Sequence, residues 1–278
     1  MSAQFLDIVT TAAIFYVVAL GLLIIFGVMK IINFAHGAFL TIGGYAALVV
    51  TGLGFSPWLA LPFAALVGLA IGALVERVVV RPLYARPLDA ILATWGLGIV
   101  IGQLITIAFG REVRFAQSPI QGATSLLGES YSLYRLLLVP GAVLLAAALA
   151  AILYGTRLGL MTRAVAMNDP LARGLGINSR LVRFASFSIG SALASLAGAL
   201  ITPMSSVDPN MGVPWLVNAF MLVLVSGNSL ASLGIATLVL GGAQVLISAF
   251  WSPILGSLTI VVLAAVILRV RPQGFARE

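Results

Sequence analysis

Residues 30–46, KIINFAHGAFLTIGGYA, place the chain's only lysine, Lys30, close to Asn33, to its only histidine, His36, and to Gly37. An imidazole can titrate, ligate a metal or serve as a base. A zinc site needs several histidine, cysteine or carboxylate ligands, and one histidine with no cysteine cannot supply the usual set. Nor is there a second histidine to complete a base-and-orienter arrangement around a serine. Non-covalent work remains. Amide, imidazole and glycine between two apolar runs read as an interrupted helix whose freed amides and carbonyls line a watered route, with Asn33, His36 and Gly37 on its wall. The other reading of His36 is a neutral imidazole hydrogen-bonded inside a helix bundle.

Two further stretches carry polar signals. TPMSSVDPNMGVP (202–214) again joins an apolar helix to a short one, so the halves of the chain can be read as a distant internal repeat, without a residue-level match. In GTRLGLMTRAVAMNDPLARGLGINSRLVR (155–183), Asp169 is expected to cap a short helix starting at Pro170 and ending at Gly174 or Gly176. Leu171 and Leu175 share one face at i, i+4. Such a helix suits docking into a groove on a partner protein. Alternatively, the stretch is a solvated linker whose arginines meet lipid phosphates.

The elements that must position these residues are apolar. The 278 residues are 61% hydrophobic and 8% charged, against roughly 25% charged in a soluble domain. The chain belongs in a bilayer. Its net charge of +7 is spread among the hydrophobic segments, which speaks for positive-inside topology and against nucleic acid as a partner. Apolar stretches run at about 5–29, 35–52, 57–76, 89–109, 136–154, 184–203, 214–227, 231–250 and 254–268. Unpaired backbone is not tolerated in lipid, so these are helices, and the fold is an all-α polytopic bundle of about 8–9 segments, some short or broken. One transmembrane domain covers 1–278. If all nine segments cross, Lys30, the arginines of 77–86, those of 157–183 and Arg269, Arg271 and Arg277 share the cytoplasmic side, with the N-terminus outside. Segment 214–227 is short enough to be re-entrant. MSAQFLD carries Asp7 and no cation, so the first segment is expected to be retained rather than cleaved as a leader. The loop at 110–133 reads as a solvent-facing cap or plain linker.

Glu76, Asp89, Asp169, Asp208 and the other acidic groups fall at or outside predicted helix ends, leaving no obvious ion-coupling carboxylate at mid-span. The chain also lacks a Walker A loop, because its lysine is followed by Ile31. Any nucleotide is bound elsewhere.

GLLIIFGVMKIINFAHGAFLTIGGYAA (21–47), RPLYARPLDAILATWGLGIVIGQ (81–103), GLMTRAVAMNDPLARGLGINSRLVRFASFSIGSALASLAGAL (159–200) and RPQGF (271–275) together resemble permeases of branched-chain amino acid ABC importers. The resemblance implies a subunit that is no enzyme itself and carries no cofactor. Its implied partners are a homologous second permease, two cytoplasmic ATPases that bind ATP and Mg, an extracytoplasmic substrate-binding protein and membrane lipid, in a bacterial cytoplasmic membrane. Asp169, Pro170, Leu171, Ala172, Arg173, Leu175 and Gly176 then form the ATPase-coupling element, and Thr94, Gly96 and Gly98 join Asn33, His36 and Gly37 along the pathway. VSGNSLASLGIA (225–236) and Trp95 depart from the family pattern, which leaves urea, amides and aromatic acids open as solutes beside branched-chain amino acids. A self-sufficient ion-coupled carrier or channel is the alternative from another class, and a structural scaffold a third.

Overall fold

A computed structural model describes residues 2–126 and 129–275; Arg277 and Glu278 lie outside the described residues. Each apolar stretch becomes a helix: α1 (Ser2–Met29), α2 (His36–Gly52), α3 (Ala60–Val75), α4 (Pro87–Phe109), α5 (Leu133–Gly155), α8 (Ser179–Ile201), α9 (Gly212–Ser226), α10 (Leu230–Phe250) and α11 (Pro253–Val270). Between α5 and α8 lie α6 (Arg157–Met167) and α7 (Asp169–Gly174). Starts follow local chemistry. Asn178 caps α8 by accepting from the Leu181 amide at 3.2 Å, and Ser252 caps α11 ahead of Pro253 in the first turn. After Val75 the helix widens into a π-turn at Glu76–Val80 and tightens into a 3₁₀ turn at Arg81–Leu83.

Among the described residues, seven helical runs are long and apolar enough to cross a membrane, while α2 and α9 are shorter. α1 and α8 are the most buried of the long helices and form the centre; α4, α5 and α11 expose most of their surface. The two central helices approach at a reciprocal glycine pair, where a Cβ on Gly21 would collide with the Gly190 carbonyl and one on Gly190 would lie 2.7 Å from that of Gly21. Without a hydrophobic drive in lipid, such close backbone approach is how helices gain packing energy.

At one end of the bundle, Asp7 of α1 meets Tyr131 and Arg135 beside a two-stranded antiparallel hairpin, β1 (Ala123–Leu126) and β2 (Glu129–Ser132). The reading of 110–133 as cap or linker omitted this hairpin. The opposite end gathers the 76–86 corner, α6, α7 and the segment at 271–275, where Phe275 donates to the Val225 carbonyl at 2.7 Å.

α2 does not begin where α1 ends. His36 sits beside Val18, about 16 Å back along α1 from Met29 at 1.5 Å per residue. From there α2 runs to the hairpin end, where Gly44 meets Thr202 and Met211, whereas α9 starts at the same depth and runs to the arginine-rich end. α1–α2 and α8–α9 thus repeat one motif, a long helix, a break and a half-length helix, in opposite senses.

Candidate functional site: the junction of two half-length helices

The break after α1 is held by local hydrogen bonds. Lys30 takes a positive φ of 56° as the chain leaves the helix. Asn33 Oδ1 accepts from the Ala35 amide at 3.1 Å, the Asn33 carbonyl from the His36 amide at 3.2 Å, and Thr94 Oγ1 of α4 from the Phe34 amide at 3.3 Å. His36 is fully buried, and its Nε2 lies 3.0 Å from the Val18 carbonyl; because a carbonyl only accepts, Nε2 carries the proton. That bond pins the break to the middle of α1.

Here the first turns of α2 and α9 abut. A Cβ on Gly37 would stand 2.9 Å from the Gly212 carbonyl oxygen, and one on Gly212 would collide with the Gly37 carbonyl. Thr41 Oγ1 clasps the pair, accepting from the Gly212 amide at 3.2 Å and donating to the Gly37 carbonyl at 3.2 Å. Beside the junction lies a cavity of about 260 Å³, lined by Gly37, Thr41, Trp95, Gly98, Asn210 and Val213 among others. The first-turn amides of His36, Gly212 and Val213 are spent on Asn33, Thr41 and Asn210, so the two helix starts bring their positive dipole ends to this space while Thr41 and Asn210 bring side-chain polar groups. Trp95, Ile99 and Val213 are exposed, which leaves the cavity open on the α4–α9 side.

Of the pathway residues named from sequence, Gly37 and Gly98 line this cavity. Thr94 lies behind its wall and anchors Phe34. Asn33 and His36 are buried in the turn that builds the junction, outside the lining, and the bundle-bonded alternative describes His36. Gly96 is away from it, with nothing within 4 Å of where a Cβ would be. Thr41 and Asn210 were missed; the signal for Asn210 was the Pro209–Asn210 break itself.

At the arginine-rich end, α7 differs from expectation in its cap. Asn168, not Asp169, is the N-cap, accepting from the Leu171 amide at 3.0 Å, because Asp169 is already helical ahead of Pro170. Asp169 Oδ2 instead receives Arg173 at 2.6 Å and Arg183 of α8 at 2.9 Å. The helix ends at Gly174, followed by Gly176 at φ 84°. Ala172 is buried, while Leu171 and Leu175 are 60% and 73% exposed, one apolar knob facing outward.

α7 is wired to the α3–α4 corner. The Arg183 guanidinium lies 4.7 Å from the Tyr84 ring centre, the Tyr84 hydroxyl donates to Glu76 Oε1, and Arg81 holds Glu76 Oε2 at 3.0 Å. Glu76, read from sequence as a helix-end carboxylate, is fully buried in the π-turn. Burial first, and then the bond to Glu76, pushes the Tyr84 phenol above its ordinary range, so it stays a donor.

A multi-pass bundle with half-length helices meeting beside a cavity at mid-depth is the architecture of a membrane transport subunit. The family described as the permease component of branched-chain amino acid transport systems matches residues 4–270, and the chain belongs to it. The high-affinity branched-chain amino acid permease LivH of Salmonella typhimurium is 29% identical over 99% of this chain and 97% of its own length. The ribose import permease RbsC of Escherichia coli is 27% identical over 72% and 62% respectively. Among solved structures, PsaBC of Streptococcus pneumoniae shares the fold with a TM-score of 0.51, at 14% identity over 96% of this chain and 91% of that one. The protein is a permease subunit of an ATP-binding cassette importer, and such subunits are not themselves enzymes.

Proposed function

We propose that the chain carries a small amino acid, branched-chain or related, inward across a bacterial cytoplasmic membrane, past the cavity where α2 and α9 meet. The observation that carries this is the cavity itself: two converging helix starts, with Asn210 and Thr41 in the lining, offer positive dipole ends and polar side chains to a polar solute, and Trp95, Ile99 and Val213 offer apolar surface to a side chain. Its open side, between α4 and α9, is the face for a homologous second permease, so that the route runs between two subunits.

In this reading the arginine-rich end is cytoplasmic, the N-terminus is outside, and the hairpin end receives the extracytoplasmic substrate-binding protein. Two ATPases bind ATP and Mg and grip the Leu171–Leu175 knob, Pro170 and Gly176 fixing its two ends. Their closure moves α7, and the Asp169–Arg183–Tyr84–Glu76 chain delivers that motion to α4, which walls the cavity. The experiment is co-purification and uptake in vesicles. An ATPase and a second permease should accompany the chain, and uptake should stop when the ATPase Walker lysine is replaced. Uptake by the isolated chain on an ion gradient would overturn the reading in favour of a carrier.

A further inference from the structure

A second cavity, about 790 Å³, lies apart from the one at the junction. It opens at the arginine-rich end between the α3–α4 corner and the start of α8, and its walls include Arg81, Arg173, Arg180, Arg183, Asp169 and Ser179. Arg81 is neutralised by Glu76, and Arg173 and Arg183 share the single carboxylate of Asp169. Arg180 has no acidic partner among the described residues. The cavity is therefore net positive, and its unspent hydrogen-bonding groups are buried: Ser179 is 6% exposed, and Ser179 Oγ and Arg183 Nε have no partner. Ser179 is also the first residue of the 23-residue α8, whose start adds its dipole.

We propose that this cavity binds the headgroup of an anionic phospholipid, the phosphate taken by Arg180, Arg183 and Ser179. Depth favours lipid over a protein carboxylate. α4 and α8 both begin at the cavity and the α3 run ends there, so it lies at the edge of the apolar zone, where headgroup phosphates sit. Leu88 and Leu181, flanking the rim in sequence, are 76% and 55% exposed and offer surface to acyl chains. Asp169 Oδ1, also buried without a partner, needs a donor, which a glycerol or similar headgroup hydroxyl supplies. The assignment requires only that the chain spans a bilayer, so it stands or falls separately from the route and coupling above.

The test is lipid retention by the complete transporter, purified and exchanged into nanodiscs of phosphatidylglycerol or of phosphatidylcholine, read by native mass spectrometry. Phosphatidylglycerol should be retained selectively. Arg180→Gln should lower retention about fivefold, the effect of one arginine at an anionic surface, and Arg180→Lys should largely restore it. Ser179→Ala should weaken retention further without changing the mass or yield of the assembly. Equal retention of both lipids, or retention unaffected by Arg180→Gln, would overturn the proposal. So would displacement by millimolar inorganic phosphate, which would make the ligand a free anion. Retention by the permease alone that vanishes when the ATPases bind would also overturn it, by giving the cavity to them.

Discussion

Gly212→Ala is the sharpest perturbation of the junction. Its Cβ would collide with the Gly37 carbonyl oxygen and stand 2.6 Å from the carbonyl carbon, where unstrained carbons keep about 3.5 Å. The carbon alone needs about 0.9 Å of relief and the closer oxygen needs more, between two backbones that Thr41 clasps, and neither neighbour is a flexible side-chain tip. Overpacking costs about 1–3 kcal/mol, and rigid backbone on both sides places this substitution near the upper value. At about 2–4 °C per kcal/mol for a chain of this size, the midpoint should fall by roughly 6–12 °C. Gly96→Ala is the internal control: nothing lies within 4 Å, and helix propensity alone should leave stability equal or raise it by about 0.5–1 kcal/mol. Thermal unfolding in detergent and uptake per folded molecule in proteoliposomes read both. A Gly212→Ala protein that melts with the wild type and transports at full rate, or a Gly96→Ala protein that falls as far, would refute the junction's role.

Further expectations follow from the same contacts. His36→Ala should cost about 1–3 kcal/mol by stripping the Val18 carbonyl of its extra donor and leaving a void, and the surviving folded protein should keep its solute selectivity; altered selectivity would return His36 to the pathway wall. Asp169→Lys, or Ala172→Pro in α7, should lower uptake more than membrane insertion, measured by vesicle uptake against surface-normalised yield. Tyr84→Phe should reduce solute moved per ATP hydrolysed while ATPase binding persists; an unchanged ratio would remove Tyr84 from the coupling chain. Because the Tyr84 phenol is raised above 10.0 on folding, its contribution is complete below that pH and lost as pH rises beyond it. The wild type should accordingly lose stability above about pH 10 more steeply than Tyr84→Phe in alkaline melts. Trp95→Ala should widen the cavity and admit bulkier solutes, read by competition for uptake.

Helix number and type were legible because lipid permits so few backbone solutions, and the two breaks announced themselves through Asn33, His36 and Pro209–Asn210 among apolar runs. What periodicity could not supply was depth. The partner of His36 is a carbonyl eighteen residues earlier, a contact created by chain reversal at Lys30, so a polar residue suited to a pathway became a tether instead. Gly96 and Gly98 are alike as sequence, yet α4 turns one to open space and the other to the cavity, a rotation set by the Phe34–Thr94 bond. At α7 the cap slipped by one residue because Asn168 and Asp169 are both good caps, and Arg183 gives the carboxylate better employment. The π-turn at Glu76 has no sequence period to betray it.

The natural absence of cysteine makes the central claim open to one direct measurement. Ile99→Cys and Val217→Cys line the junction cavity, whereas Val262→Cys lies on the exposed surface of α11 away from it. In the assembled transporter, a charged, membrane-impermeant thiol reagent should label the first two at rates that change between the nucleotide-free and ATP-trapped states, and should leave the third unlabelled. Labelling of all three alike, or cavity positions inert in every nucleotide state, would contradict a route through the meeting point of α2 and α9.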